Sequence, residues 1–171
     1  MSTGQMLLVL AALVTFSMVS LTINQSVIIS TAASLETEAV DTGRLIADSF
    51  IDEACSKPFD AAVAWGQTIE DPSDFTTCGA GGGEKYPNYN DLDDFDSLSD
   101  HVVRTDRLGN FKVSMDVYYV DPDHPNYPAG HKTNCKAVLA RVTSPHFSIN
   151  PETGRPAVLT VRTLVTYKFT S

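Results

Sequence analysis

No charged side chain occurs before Glu36, so the first thirty-five residues carry neither acid nor base. That gap argues against a soluble domain with charge spread evenly over its surface. Basic residues are also scarce, 12 Lys and Arg against 21 Asp and Glu, for a net charge of −9. A surface of that sign repels phosphate backbones, which excludes nucleic acid as a partner. Only three cysteines are present, and no C-x-x-C pair that would suit structural zinc. The glycine run from Gly79 to Gly83 lacks the Lys-Ser/Thr of a phosphate loop and reads as a flexible linker. His101, His124, His131 and His146 are scattered, and no hydrolase motif joins Ser, His and acid, so no catalysis is expected. Internal repeats and coiled-coil heptads are missing too. At 171 residues the chain has room for one domain and hardly two.

What is there begins with MLLVLAALVTFSMVSLTI, from Met6 to Ile23, with no Gly, Pro or charge. Leu, Met and Ala favour helix, and Ser and Thr hydroxyls can bond back to the preceding turn. A bilayer span takes about 20 apolar residues, so the run is just long enough. Three readings are open: a cleaved signal peptide, a plain membrane anchor, or a helix that sits in a membrane first and in a filament core later. A signal peptide is disfavoured because Met1-Ser2-Thr3-Gly4 contains no Lys or Arg.

The next stretch, SLETEAVDTGRLIADSFIDEAC from Ser34 to Cys55, places Leu35, Ala39, Val40, Ile46, Phe50, Ile51 and Ala54 on a helical stripe with acids between. Gly43 is a mild weakness in it, and Lys57-Pro58 ends it. A continuous helix from Gln5 to Cys55 has 51 residues, or about 76 Å at about 1.5 Å per residue. Residues 57–101 read as loops, including the acidic cluster from Asn90 to Asp100. Phe111, Val113, Met115, Val117 and Tyr119 then alternate with polar residues, the period of a half-buried strand. Arg104 to Arg107, with Leu108-Gly109-Asn110 as turn, predicts its hairpin partner. Lys136–Thr143 and Ala157–Phe169 are two further strands, rich in β-branched residues. The proline-rich stretch from Asp121 to His131 predicts no regular structure. The expected fold is α+β: a long N-terminal helix packed on a small antiparallel sheet. Residues 1–30 form its apolar half and 31–171 a globular head, with amphipathic helix at 31–56 and sheet at 102–171.

In this order of elements the chain resembles the type IV pilin and pseudopilin superfamily. More narrowly it is similar to minor pilins, in the helix end Ile51–Asp60, the acidic stretch Asn90–Asp96, the strand end Val117–Val120 and Lys136–Thr143. The resemblance implies a structural subunit of an extracellular filament at the cell surface. Before assembly such a subunit waits in the cytoplasmic membrane, and assembly machinery extracts it. Gln5, Met6, Leu7, Leu8, Leu10, Leu13, Phe16, Met18, Leu21 and Ile23 would then form the filament core, holding a homo-oligomer in a helical polymer. A leader peptidase would act after Gly4, leaving Gln5 first. In the alternative register Met1 is already the mature start, and Gln5 stands where the family usually has a glutamate. A minor pseudopilin of a type II secretion-like system is one alternative. A singly anchored envelope protein with a β-rich binding domain is another.

Two features of the head complete the expectations. Asp91, Asp93, Asp94 and Asp96 suit a hard cation such as calcium, which pseudopilins often hold in a loop of this region, although a solvated acidic loop has the same composition. No other cofactor is expected. In the extracellular setting that the resemblance implies, Cys55, Cys78 and Cys135 allow one disulfide in three pairings, or three reduced thiols. Cys78 with Cys135 is favoured because both lie beside loops. Trp65, Phe59 and Phe75 are expected to pack at the helix end.

Overall fold

The computed structural model describes residues 2–81 and 84–169. Gly82 and Gly83 of the expected linker lie outside the described residues. One helix, α1 (Thr3–Cys55), runs through two compact units, Met1–Glu38 and Ala39–Ser171. In the first unit the helix is apolar on every side. Fifteen large hydrophobic residues between Met6 and Ile29 are 53–74% exposed, so no described residue covers them. Four of its hydroxyls are satisfied within the helix. Thr15, Ser17, Thr22 and Thr31 donate to the carbonyls of Ala11, Leu13, Met18 and Val27 at 2.8–3.0 Å. That arrangement leaves these groups without need of water. The helix is long and apolar enough to cross a membrane.

In the second unit α1 turns one face inward through Ala39, Gly43, Ala47, Phe50, Ile51 and Ala54. Small residues at four-residue spacing let the sheet and its loops approach the helix closely. Val40, assigned to the stripe on periodicity, is exposed instead, and Gly43 takes part in the contact. Ser56 and Lys57 close the helix with bonds to Asp52 and Ala54, and Pro58 prevents another turn.

The sheet is antiparallel, in the order β1-β2-β4-β5. Its strands are β1 (His101–Thr105), β2 (Gly109–Asp121), β4 (Cys135–Thr143) and β5 (Leu159–Thr166). The β1–β2 hairpin pairs Thr105 with Gly109, close to the expected turn. The central pairing aligns Val113 with Val142, Val117 with Val138 and Tyr119 with Lys136. Phe111, Val113, Met115, Val117 and Tyr119 are buried, as their alternation predicts. One expectation is corrected: the proline-rich loop contains β3 (His124–Pro128), which pairs with the far end of β2 across an irregularity at Val120/Asp121. A short edge strand tolerates prolines because one side of its backbone needs no partner.

Between the stretches of β2 that β1 and β3 occupy, a 3₁₀ turn covers the strand edge. This turn, Asp93–Ser97, follows Asn90–Leu92. Val117 N–H donates to Asp96 Oδ1 at 2.9 Å and Met115 N–H to Leu98 O at 2.9 Å. The acidic stretch is therefore bound to the sheet, and Asp91, Asp93 and Asp94 are buried with it.

Candidate functional site

Lys136 sits on β4 at an inward position, in the same alternation as Val138, Ala140 and Val142, and its side chain has no exposed surface. Burying an ammonium is costly unless carboxylates and hydrogen bonds receive it. Three oxygens do so. Phe59 O accepts at 2.7 Å, Asp93 Oδ1 lies 3.1 Å away and Asp60 Oδ2 3.4 Å. Aromatic rings wall the ammonium in, with Nζ 4.4 Å from the Phe59 centroid and 4.8 Å from that of Tyr119. Such contacts favour a cation electrostatically.

Asp60 joins α1 to α2 (Ala61–Ala64), and local turn chemistry fixes it. Its Oδ1 caps α2 by accepting from Ala62 N–H at 3.0 Å. Its Oδ2 accepts from Thr76 N–H at 2.9 Å, Thr76 Oγ1 at 3.0 Å and Tyr119 OH at 3.2 Å. Asp93 is held from the other side, with Thr76 Oγ1 3.2 Å from its Oδ2. Asp91 adds a third carboxyl beside that of Asp93, close enough for each to act on the other. Its own Oδ1 accepts from Asp94 N–H at 3.1 Å, and Asp94 Oδ2 accepts from Asn90 N–H at 2.9 Å.

The electrostatics follow from this crowding. Burial, and then the neighbouring charge of Asp93, push Asp91 up to about 7, so its carboxyl holds a proton well above the ordinary carboxylate range. Burial also raises Asp93, against the opposing pull of Lys136. Tyr119 is raised by burial and by Asp60, and stays a hydrogen-bond donor. Cys78 is pushed up to about 12, chiefly by burial. A cleft of about 580 Å³ opens over this cluster, lined by Asp91, Asp93, Asp94, Cys78, Thr76 and Trp65 among others. Lys136 lies behind Asp93, so no external substrate reaches its amine.

The four aspartates expected to bind a cation divide among other tasks. Asp93 faces Lys136, Asp94 binds the backbone of Asn90, and Asp96 reaches β2. Among the described residues no three His, Cys, Asp or Glu side chains gather as a metal requires. The favoured Cys78–Cys135 bridge is not formed: Cys55, Cys78 and Cys135 are free thiols. Neighbouring residues on a strand point to opposite faces. Lys136 faces the carboxylates and Cys78, so Cys135 turns away to pack with Val120 and Ala137. Trp65 is 70% exposed at the cleft, away from the expected aromatic cluster, whereas Phe59 and Phe75 do meet, at 5.0 Å. The residues of the proposed filament core all lie in the exposed apolar helix of the first unit, with Gly4 and Gln5 in its first turns.

Sequence reasoning missed Asp60, Thr76, Tyr119 and Lys136 as a group. One signal was available: a lysine on the inward face of an apolar strand demands buried acids. Neither a family model, a curated protein nor a solved structure matches the chain.

Proposed function

We propose that the protein is a structural subunit of an extracellular, type IV pilus-like filament that polymerises through its apolar helix. The observation that supports this reading most is the uncovered run from Met6 to Ile29, which needs an apolar environment on all sides. Lipid supplies that environment before assembly, and neighbouring copies of the helix would supply it afterwards. Each fully buried Leu, Val or Met contributes about 1.5–3 kcal/mol. With fifteen such large side chains, association remains favourable after ordering costs are met. Identical contacts repeated head to tail do not close on themselves, which gives a helical polymer. The charged head would face outward and make the filament surface acidic. No step of this role calls for catalysis.

Shearing intact cells and analysing the released material by mass spectrometry tests the reading. Abundant recovery of this chain in sedimentable filaments is expected. Trace recovery alongside a more abundant subunit would favour the minor pseudopilin. Recovery only from detergent-extracted membranes would favour a singly anchored envelope protein and overturn the filament.

A further inference from the structure

We propose that Lys136 and Asp93 condense to an intramolecular isopeptide bond between the lysine Nζ and the aspartate Cγ. The inference rests on the head alone and stands whether or not the chain polymerises.

Three observations support it. The partners are already in contact, since Nζ is 3.1 Å from Asp93 Oδ1. Reacting groups held within about 3–3.5 Å in a fixed orientation gain effective molarities on the order of 10⁵–10⁸ M. The surroundings are dry, because Lys136, Asp60 and Asp93 are almost completely buried and Phe59, Phe75 and Tyr119 surround the amine. Finally, one ammonium faces two carboxylates, Asp60 and Asp93, an imbalance that burial makes costly. Condensation removes one buried positive and one buried negative charge and leaves an amide.

The neighbouring groups fit the separate needs of the reaction. Asp60 takes a proton from the Lys136 ammonium across 3.4 Å. The free amine attacks Cγ of Asp93 and forms the C–N bond. Asp91, which lies beside Asp93 and holds its proton near neutrality, presents a neutral acid that polarises the Asp93 carboxyl. Collapse of the tetrahedral adduct breaks a Cγ–O bond. The departing oxygen leaves as water, carrying the second amine proton and the proton that Asp60 had taken, so Asp60 is again a carboxylate and Asp91 keeps its own proton. The sum is ammonium plus carboxylate giving amide plus water, with no oxidant or reductant. Because Asp93 lines the cleft, the water has a way out. Asp60 is the less accessible electrophile, since its nearer oxygen is 3.4 Å from Nζ against 3.1 Å for Asp93, and Ala62, Thr76 and Tyr119 hold its oxygens in place.

The bond would tie the central strand β4 to the 3₁₀ turn that clasps the edge of β2. Tension on the head would then meet a covalent cross-brace instead of an ion pair.

The test is tandem mass spectrometry of the full chain, purified in detergent and digested with trypsin. Expected is a branched species joining residues 86–104 to residues 133–141, lighter by one water than the two together and uncut at Lys136. Asp93→Ala should give only linear peptides. Asp91→Ala leaves both ion-pair partners of Lys136 in place and removes the proton-bearing group beside Asp93. It should fold with native circular dichroism and show a smaller linked fraction. Recovery of 86–104 and cleavage at Lys136 in linear form only, from folded wild-type chain, overturns the proposal. A link from 133–141 to 45–85 overturns the assignment to Asp93 and moves the bond to Asp60.

Discussion

At the scale of single residues, the chemistry of the head is governed by what is shut away from water. Cys78 shows this. Its thiol is pushed up to about 12 by burial and by Asp93, Asp96 and Asp60, against the single opposing charge of Lys136. Since the thiolate is the nucleophile, a thiol titrating at about 12 is ionised to about one part in 10⁴ at pH 8. Native alkylation at pH 8 should therefore modify exposed Cys55 while Cys78 and buried Cys135 stay unmodified, as residue-resolved mass spectrometry would read. Raising the pH from 8 to 10 should speed Cys78 modification about tenfold per unit in the folded chain. Preferential labelling of Cys78 at pH 8 would contradict the upward shift of its thiol. The acidic stretch was legible as a site of interest, but its meaning was not. Composition shows four aspartates within six residues, whereas the fold assigns one to a lysine 43 positions later and the others largely to backbone N–H groups.

At the scale of elements, periodicity located α1, β2, β4 and β5 nearly to their ends, because each buries one face and its apolar spacing records which, whereas the hairpin partner expected at Arg104–Arg107 lies at His101–Thr105. It did not reveal that Gly43 belongs to the buried face. A Cβ built there would come within 2.8 Å of Phe147 Cζ and 3.5 Å of Leu159 Cδ2, so the absence of a side chain sets how near the helix lies to these residues. Gly43→Val should therefore destabilise the head by about 1–3 kcal/mol, the usual cost of overpacking. Val is only slightly better than Gly in a helix, so propensity offsets little of this cost. Combining it with Phe147→Ala should cost less than the two single changes added together, since the second opens the space the first needs. Urea denaturation of the four variants measures the coupling, and strict additivity would show that the close approach is not limiting. β3 was missed for a related reason: its prolines forbid a central strand, but only the neighbouring edge of β2 reveals that an edge strand can form.

At the scale of the whole molecule, the chain joins a segment that satisfies none of its apolar surface to a head that buries its own core. The large hydrophobics from Met6 to Ile29 are more than half exposed, with no cover among the described residues, so removing them should forfeit little packing. A chain starting at residue 31 should be soluble without detergent and unfold in urea within about 0.5 kcal/mol of the full chain in detergent. A drop of several kcal/mol would show that the head draws stability from the apolar segment. The same truncation should abolish membrane association and recovery in sheared filaments.

The sequence by itself determined the division into an apolar helix and an acidic head, along with the helix, the main strands and the α+β class. Those features follow from hydrophobic spacing and charge distribution, which are local and additive along the chain. Tertiary structure decided what lies inside the head: the pairing of Lys136 with Asp60 and Asp93, the proton held by Asp91, the separation of Cys78 from Cys135 and the close approach at Gly43. Each depends on distances between residues far apart in sequence, and on a dielectric environment that exists only once water has been expelled from between them.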